Sequence, residues 1–354
     1  MVNGNWRWIL APLAALYGGV IALRHLLYDE HMLPSYQPKI PTIGVGNLAV
    51  GGTGKTPMVE YLIRLLQAHG YKVCVLSRGY KRKTRGLLFA NAISTADTIG
   101  DEAMQIHSKF PDVLVAVGEE RASAVKKIQN LPNPPDVILL DDAYQHRGIQ
   151  CGLSILLTAY DRLYVNDHLL PWGTLRDIQY RATKANIIVV TKCPDTIRPI
   201  DKRVVDNSLR PATFQHLYFS SLRYEHVDIQ GVPLLLTGIA RPEYLINHLR
   251  EIEPQTEVLT FPDHHRFTET DIQTILRRAE QCDCIVTTEK DMQRLLLTDL
   301  KKLCSKPIIP LPVALTVAPE AGTIDEDVLA YVRESSRKLK ELGGTTPRAK
   351  QPKD

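Results

Sequence analysis

The chain contains the glycine-rich stretch Gly46-Asn47-Leu48-Ala49-Val50-Gly51-Gly52-Thr53-Gly54-Lys55-Thr56-Pro57. The apolar run from Ile40 to Val45 precedes it and predicts a buried strand, and the segment from Met58 to Ala68 follows it with apolar residues at helical spacing. A strand, a glycine-rich loop ending in Gly-Lys-Thr, and a helix form the P-loop arrangement. Its backbone N–H groups and the helix N-terminus together bind phosphate oxygens. The stretch therefore predicts a site for a nucleoside triphosphate.

Within this loop, Lys55 is placed to reach the β- and γ-phosphates, and the Thr56 hydroxyl is placed to ligate Mg²⁺. The strict P-loop pattern has glycine where this chain has Ala49, and Gly51 and Gly52 can supply the missing backbone freedom. The alternative is a glycine-rich turn that binds nothing. The strand before it and the helix after it favour the phosphate site.

A second metal-binding signal follows later in the chain. Four apolar residues from Val137 to Leu140 end in Asp141 and Asp142, which is the Walker B pattern of a buried strand that delivers a carboxylate to Mg²⁺. A further strand ends in Thr191-Lys192-Cys193-Pro194. A GTPase has aspartate at the position of Pro194, so the sequence disfavours guanine as the base.

Composition limits the class of protein. A length of 354 residues favours two domains, and a net charge of +4 is too small to indicate nucleic-acid binding. The six cysteines are scattered without a Cys-x-x-Cys pair, which predicts free thiols in a reducing cytosol rather than a zinc site.

The N-terminal segment is apolar. Ile9 to Leu23 is a run of 15 residues without a charge, with Trp6, Arg7 and Trp8 before it and Arg24 after it. As a helix this run is about 22 Å long, which is shorter than the ~30 Å hydrocarbon core of a bilayer. A signal peptide and a buried core helix are alternatives. The edge tryptophans and arginines favour a helix in the membrane interface.

A basic cluster, Lys81 to Arg85, follows the second predicted strand and its Ser-Arg-Gly-Tyr end. Such a cluster is either a solvated face or a surface for an acidic substrate or phospholipid, because open α/β sheets bind ligands beyond the carboxyl ends of their strands.

The predicted organisation has five parts. Residues 1–30 form a membrane-interface helix, and 31–222 form a P-loop domain. Residues 223–316 form a smaller α/β domain, with Leu217 to Leu222 and Ile308 to Thr316 as paired hinge strands. Residues 317–342 form a last helix, and 343–354 form a disordered tail.

Seven short motifs occur in a fixed order along the chain. They are Gly46-Asn47-x-x-x-Gly51-Gly52-x-Gly54-Lys55-Thr56-Pro57, Ser77-Arg78-Gly79-Tyr80, Gly100-Asp101-Glu102, Asp141-Asp142-x-x-Gln145-His146, Pro171-x-Gly173-x-Leu175-Arg176, Asp263-His264-His265 and Thr288-Glu289-Lys290-Asp291. Together with the N-terminal apolar helix, this set resembles the tetraacyldisaccharide 4'-kinase family over roughly residues 5 to 320. Ala49 agrees with the family pattern, whereas Ala143 stands where the family usually carries glycine.

The resemblance implies two α/β/α sandwiches joined by a two-stranded linker, with the active site in the cleft between them. It implies phosphate transfer from ATP, with Mg²⁺, to the 4'-hydroxyl of a tetraacyldisaccharide 1-phosphate in lipid A biosynthesis. Asp101 is then the proton acceptor paired with His264, and spacing leaves His265 open as the partner. We expect a monomer at the cytoplasmic face of the inner membrane.

The implied site residues fall into three groups by role. The catalytic group is Asp101, His264 and Lys55, the metal group is Thr56, Asp141 and Asp142, and the nucleotide group is Asn47, Gly51, Gly52, Thr53, Gly54, Lys55, Thr56, Arg121 and Arg176. Two other classes remain open at this point: a P-loop GTPase or metallochaperone, and a non-catalytic ATP-binding membrane protein.

Overall fold

The computed structural model describes residues 5–318 and 322–341. The helices within that part of the chain are α1 (Ala11–Asp29), α2 (Lys55–Ala68), α3 (Ala96–Ile99), α4 (Asp101–Lys109), α5 (Arg121–Gln129), α6 (Pro199–Leu209), α7 (Glu243–Ile252), α8 (Glu269–Ala279), α9 (Glu289–Leu295), α10 (Leu300–Leu303) and α11 (Ile324–Glu341). Short 3₁₀ segments occur at Asn5–Leu10, Tyr164–Asn166 and Gln179–Lys184.

The strands of the same residues are β1 (Thr42–Asn47), β2 (Val73–Ser77), β3 (Leu88–Phe89), β4 (Leu114–Val117), β5 (Val137–Asp141), β6 (Leu153–Ala159), β7 (Ile187–Thr191), β8 (His216–Tyr224), β9 (Pro233–Thr237), β10 (Glu257–Thr260), β11 (Cys284–Thr288), β12 (Ile308–Leu311) and β13 (Val313–Val317). They form a nine-stranded sheet in the order β13-β8-β7-β6-β1-β5-β2-β4-β3 and a four-stranded sheet in the order β10-β9-β11-β12. The mixed α/β architecture confirms the predicted fold class.

The large sheet is parallel except at its two edges, where β3 and β13 run antiparallel to their neighbours. The central strand β1 pairs with β5 on one side and β6 on the other, and both of its faces are buried. The loop after β1 and the carboxylates at the end of β5 therefore emerge at the same edge of the sheet. This topology brings the P-loop and the Walker B residues together.

The P-loop helix α2 packs one apolar side on the large sheet. Leu62, Ile63 and Leu66 are fully buried against a cluster that includes Ile43 and Val45 of β1. Burial of a leucine or isoleucine side chain contributes about 1.5–3 kcal/mol, so these contacts hold the helix N-terminus in place beside the loop.

The two sheets are connected through β8 and β13, which pair antiparallel from Val313 opposite Tyr224 to Val317 opposite Ser220. The single exit strand expected at Ile308 to Thr316 is wrong in one respect. The structure divides this segment into β12, which belongs to the small sheet, and β13, which belongs to the large one. Pro312 lies between them and has no N–H with which to continue a ladder.

The C-terminal helix α11 returns to the large sheet. Ile324, Val328 and Val332 are fully buried in the same cluster as β1 and α2. The Tyr331 hydroxyl accepts a hydrogen bond from the Thr42 backbone N–H at 3.0 Å. Leu342 and the predicted tail 343–354 lie outside the described residues.

The N-terminal helix is longer than its uncharged run. Helix α1 continues through Arg24 to Asp29, and the helical segment from Trp8 to Asp29 spans 22 residues. Only 11% of its most apolar 18-residue stretch is buried within the protein. By length and composition this helix could cross a membrane, although its uncharged run alone is shorter than the hydrocarbon core. The helix continues because its charged end packs on the large domain, where His25 Nε2 lies 2.6 Å from Asp177 Oδ1.

The other side of the N-terminal segment faces outward. Its large apolar side chains are mostly exposed, between 54% and 69%, and they are Trp8, Ile9, Leu13, Leu16, Val20, Leu23 and Leu26. Most follow one another at three- or four-residue spacing, which places them on one face of the helix. Tyr17 lies on the packed face and donates a hydrogen bond to the Arg176 carbonyl at 3.0 Å.

Candidate active site

The P-loop turns into helix α2 at Gly54. Its φ of +81° is in the left-handed region, which glycine adopts without steric strain. The next residue, Lys55, donates a hydrogen bond to Asn47 Oδ1 at 3.2 Å and lies 3.5 Å from Asp142 Oδ1. Gly51 and Gly52 are exposed, and Thr56 is half-buried in the first helical turn. The lysine at the start of α2 is therefore held beside Asn47 of β1 and the carboxylate that follows β5.

Thr53 is buried within the loop, and its backbone carbonyl accepts a hydrogen bond from the Thr191 hydroxyl at 2.9 Å. The P-loop is also bonded to the segment before Arg176, because the Val50 N–H donates a hydrogen bond to the Thr174 carbonyl at 2.8 Å. These bonds join the loop to β7 and to the Pro-Trp-Gly segment, and they fix its backbone before any ligand binds.

Asp142 lies next to two cations, Arg176 and Lys55. Arg176 binds it through both terminal nitrogens, at 3.0 and 2.8 Å, and also donates to Asn47 Oδ1 at 2.7 Å. Burial would raise the pKa of Asp142, but the hydrogen bonds from Arg176 and the charge of Lys55 outweigh it and hold the pKa well below its usual range. Asp142 is therefore ionised and already neutralised by two cations.

Asp141 has the opposite environment. Burial and the adjacent charge of Asp142 raise its pKa to about 6, although Lys55 opposes them. Its Oδ1 atom is buried and has no hydrogen-bond partner among the described residues. A buried carboxylate oxygen without a partner is stabilised by a bound cation, so Asp141 fits the role of a metal ligand.

Arg121 lies beneath this pair and is 2% exposed. It donates to the carbonyls of Gly118 at 2.8 Å and Asp141 at 3.1 Å. Its guanidinium therefore supports the backbone at the end of β5, a structural role that the sequence pattern did not indicate.

Asp101 and His264 meet across the two sheets. Asp101 is the first residue of α4 on the large domain, and His264 lies in the loop after β10 of the small sheet. The distance between His264 Nδ1 and Asp101 Oδ2 is 3.1 Å. Burial would raise the pKa of Asp101, but the hydrogen bond from His264 and the charge of Arg294 hold it below its ordinary value.

His265, the neighbour left open by spacing, points elsewhere. Its Nε2 atom lies 2.9 Å from Asp271 Oδ2, in the capping box that begins α8. His264 has a φ of +57°, so the backbone turns sharply at this residue. Adjacent side chains therefore leave in different directions, and the tertiary structure brings His264 rather than His265 to Asp101.

Lys290 completes this cluster, although sequence reasoning gave it no role. Its Nζ atom lies 3.1 Å from His264 Nε2 and 3.0 Å from Glu102 Oε1. Burial alone would lower the pKa of Lys290, but Glu102 and Asp263 outweigh it and raise the pKa above its ordinary value. The Thr-Glu-Lys-Asp motif was the signal that could have identified this residue.

A cavity of about 170 Å³ lies beside Asp101 and His264. Its walls come from both domains and include Lys81, Lys83, Arg266 and Arg294. Cationic side chains therefore lie around the Asp101 carboxylate, and this arrangement suits a negatively charged substrate that accepts the phosphate.

The basic cluster itself is partly neutralised. The Arg82 side chain is 2% exposed and lies 2.6 Å from Glu119, and Lys83 is paired with Asp97. Lys81 and Arg85 are exposed, with no ion pair among the contacts of the described residues. The cluster thus has one buried cation, Arg82, one exposed cation paired with a carboxylate, Lys83, and two exposed cations without an ion pair among the described contacts.

The loop carrying Tyr80 is held against the start of α4. Gly100 has a φ of +90°, and a Cβ there would come within 3.2 Å of the Gly79 backbone and the Tyr80 carbonyl. The Tyr80 and His264 rings meet edge to face with centroids 5.2 Å apart. The Ser-Arg-Gly-Tyr and Gly-Asp-Glu motifs therefore form one surface.

Comparisons with known proteins identify the family of the chain. A family model for tetraacyldisaccharide-1-P 4'-kinase matches residues 6–333. The tetraacyldisaccharide 4'-kinase of Bacteroides thetaiotaomicron is 41% identical over 360 residues, which cover 94% of this chain and 94% of the relative. That of Flavobacterium psychrophilum is 40% identical over 348 residues, which cover 93% and 98%.

The fold has a solved counterpart. A crystal structure from Aquifex aeolicus, described as the apo form of LpxK in complex with ATP, has a TM-score of 0.71 and 26% sequence identity. The match covers 93% of this chain and 99% of that one. The resemblance inferred from the seven motifs is confirmed, and the chain belongs to the tetraacyldisaccharide 4'-kinase family.

Proposed function

We propose that this chain transfers the γ-phosphate of ATP to the 4'-hydroxyl of a tetraacyldisaccharide 1-phosphate, and that Asp101 accepts the hydroxyl proton. The observation that carries the catalytic assignment is the contact between Asp101 and His264, which joins two domains at the edge where the P-loop lies. The charge of Glu102, next to Asp101, contributes to the raised pKa of Asp141, so the two halves of the site interact electrostatically.

ATP binds to the P-loop in this proposal, as the Aquifex aeolicus relative binds ATP. The N–H groups of the loop from Gly51 to Gly54 bind phosphate oxygens, and Lys55 neutralises their charge. Asn47 and Asp142 orient the lysine, because its Nζ atom already lies within 3.5 Å of an oxygen of each.

The residues present also fit Mg²⁺. Asp141, at the end of β5, offers a buried oxygen without a partner, and Asp142 follows it directly. Thr56 lies in the first turn of α2, next to Lys55, which is 3.5 Å from Asp142. Among the described residues no group of three or more His, Cys, Asp and Glu could hold a metal alone. Mg²⁺ is usually coordinated by one or two protein carboxylates together with substrate phosphates and water. When bound, the ion neutralises phosphate charge.

The proton moves to Asp101. Lys290 donates a hydrogen bond to His264 Nε2, so this nitrogen is an acceptor and the imidazole proton is on Nδ1. That proton is donated to Asp101 Oδ2, which leaves the other carboxylate oxygen for the sugar hydroxyl. His264 and Lys290 are therefore positioning residues, and the cations around Asp101 keep it ionised at neutral pH.

Helix α1 brings the enzyme to its lipid substrate at the cytoplasmic face of the inner membrane, where the chain acts as a monomer without nucleic acid. The exposed apolar face from Trp8 to Leu26 supports this step, because such a face is buried favourably in the interface. Lys81 and Arg85 supply further attraction to lipid phosphates.

The deciding experiment measures phosphate transfer from labelled ATP to a tetraacyldisaccharide 1-phosphate in detergent. The parent should form labelled bis-phosphorylated lipid, and Asp101→Asn should lower kcat about 100-fold or more, since general base catalysis contributes at least this much. His265→Gln is the matched control and should retain activity. A parent that binds ATP but forms no labelled lipid would overturn the kinase assignment in favour of an ATP-binding scaffold.

A further inference from the structure

A second cavity lies on the large domain, between the C-terminal end of α1, the loop after β5 and the 3₁₀ segment Gln179–Lys184. Its volume is about 370 Å³. The charged side chains that line it are Asp29, Arg147, Arg181 and Lys184, together with His31 and His146. The P-loop residues Gly51–Thr56 and the Asp101–His264 pair are absent from this lining.

Arg181 stands out among these residues. It is 8% exposed, and its guanidinium has no hydrogen bond or ion pair among the contacts of the described residues. Burial, followed by the charge of Arg147, lowers its pKa. By contrast, the buried guanidinium of Arg294 is bonded to Asp291 and to two backbone carbonyls. A buried cation without a partner is unfavourable unless a ligand supplies the anion.

The nearby acidic groups have other partners, although Asp177 Oδ2 is buried without a hydrogen bond among the described residues. Asp29 Oδ1 accepts a hydrogen bond from Arg147 at 2.6 Å, and Asp177 Oδ1 lies 2.6 Å from His25 Nε2. Both carboxylates act on Arg181 electrostatically, but neither forms an ion pair with it. The cavity therefore has an excess of positive charge, with Arg181 and Lys184 left to neutralise a ligand.

We infer that this cavity binds a phosphate group, either the phosphodiester of an anionic phospholipid or free phosphate. A planar guanidinium matches phosphate oxygens in two-point contacts, and a basic pocket at the foot of an interfacial helix suits a lipid head group. Helix α1 ends at the cavity, with exposed Leu26 one turn before it, and Tyr180 beside Arg181 is 60% exposed. The lipid form of this inference rests on the proposed membrane docking of α1.

The test uses the full chain as parent, Arg181→Met, and Arg203→Met as the matched control. Arg203 is exposed on α6 and lies outside the cavity lining, so its loss removes the same charge without touching the site. Binding is measured by sedimentation with vesicles of phosphatidylcholine alone or mixed with phosphatidylglycerol. Thermal unfolding is measured with and without inorganic phosphate.

If the ligand is a lipid head group, Arg181→Met should weaken binding to phosphatidylglycerol vesicles about tenfold, since a charge-assisted hydrogen bond is lost. The control should bind as the parent does, and phosphate should leave all melting temperatures unchanged. If the ligand is free phosphate, phosphate should raise the melting temperature of the parent and the control but not of Arg181→Met.

Equal vesicle binding and equal phosphate response in all three proteins would overturn the inference. An increased KM for the disaccharide lipid in Arg181→Met, with vesicle binding intact, would also overturn it, because the cavity would then serve the substrate itself. Phosphate transfer in detergent, measured on the same preparations, decides the proposed function separately. If the parent transfers phosphate in detergent but responds neither to phosphatidylglycerol vesicles nor to inorganic phosphate, this site is refuted and the proposed function is not.

Discussion

Asp141 and Asp142 are adjacent in sequence, yet the structure gives their carboxylates opposite properties. Asp142 is held ionised by Arg176 and Lys55, whereas the pKa of Asp141 is raised to about 6 by burial and by its neighbour. Two carboxylates whose environments separate their pKa values are able to perform different tasks. Asp142 organises the cations, and Asp141 is available to a metal.

Asp141→Asn should therefore stabilise the metal-free protein at about pH 8. The pKa of Asp141 in the folded protein lies above its ordinary value of 3.8, so the stability that this group contributes is present at low pH and is lost as the pH rises through about 6. The difference corresponds to up to about 3 kcal/mol. Thermal unfolding in EDTA should show a higher melting temperature for Asp141→Asn than for the parent at about pH 8, and no difference near pH 4. Phosphate transfer with Mg·ATP should fall about 100-fold in the same variant.

An Asp142→Asn variant provides the comparison, because its pKa is shifted in the other direction. It should be less stable than the parent at neutral pH, since Arg176 and Lys55 lose their counter-charge. If both variants changed stability in the same direction, the assigned environments would be incorrect.

Lys290 should determine the pH dependence of the reaction. Burial raises the pKa of Asp101, but His264, Arg294 and Lys290 together hold it below its ordinary value. The Lys290 Nζ atom also lies 3.1 Å from His264 Nε2. In Lys290→Met this charge is lost, so the pKa of Asp101 should rise, and His264 loses the donor that orients its imidazole toward Asp101. We expect kcat to fall about tenfold, with the acid limb of its pH profile moved to higher pH and KM for ATP unchanged.

Lys290→Gln retains a hydrogen-bond donor and should recover part of the kcat that Lys290→Met loses. A purely structural role would lower activity equally at every pH. A profile whose acid limb does not move would therefore refute the positioning role.

At the level of elements, α1 combines two faces with different tasks. The packed face is anchored by the contacts of His25 and Tyr17, and the outer face carries an unpaired apolar stripe. We predict that Leu16→Glu with Val20→Glu weakens vesicle binding at least tenfold, because burial of each side chain in the interface contributes about 1.5–3 kcal/mol. Sedimentation with lipid vesicles measures this effect.

The matched control for this helix is Tyr17→Phe, which loses one hydrogen bond on the packed face and should bind vesicles as the parent does. Because Leu16 and Val20 are 69% and 62% exposed, the charged variant should melt at the temperature of the parent. Unchanged vesicle binding in the charged variant, or after removal of residues 1–30, would refute the role of α1 at the membrane.

At the level of the whole molecule, the two domains are joined by an ionic link behind the active site. Lys109 on α4 lies 2.8 Å from Glu60 on the P-loop helix and 2.6 Å from Glu289 on α9 of the small domain. Glu60 is 1% exposed, and burial raises its pKa although Lys109 opposes this. One lysine therefore connects the phosphate-binding helix, the helix of the proposed base and the opposite domain.

Lys109→Met should destabilise the protein by about 3 kcal/mol, since buried Glu60 would lose its nearer cation and keep only Arg64, which lies 3.5 Å away. Because the pKa of Glu60 is raised, the loss should grow as the pH rises through that pKa. Denaturant unfolding measures the effect, and the double variant Glu60→Gln with Lys109→Met should recover most of the stability. If the double variant were as unstable as the single one, packing rather than charge would explain the loss.

The sequence by itself determined the parts that depend on local pattern. The P-loop, the Walker B strand and most helices and strands follow from hydrophobic period, glycine placement and terminal acids, which act over a few residues. Errors occurred where local signals were weak, as in the division of Ile308 to Thr316 between two sheets. The short strand β10 and the helix α9 were also missed as elements, because each is four to seven residues long.

The tertiary structure decided which distant side chains meet. Spacing left His264 and His265 equivalent, and only the left-handed backbone at His264 directs one of them to Asp101. Lys290 contacts His264, 26 residues away, and Lys109 contacts Glu289, 180 residues away. Arg181 is distinguished by a buried nitrogen that has no partner within the described contacts. Electrostatic function depends on burial and distance in three dimensions, and a linear pattern of residues specifies neither.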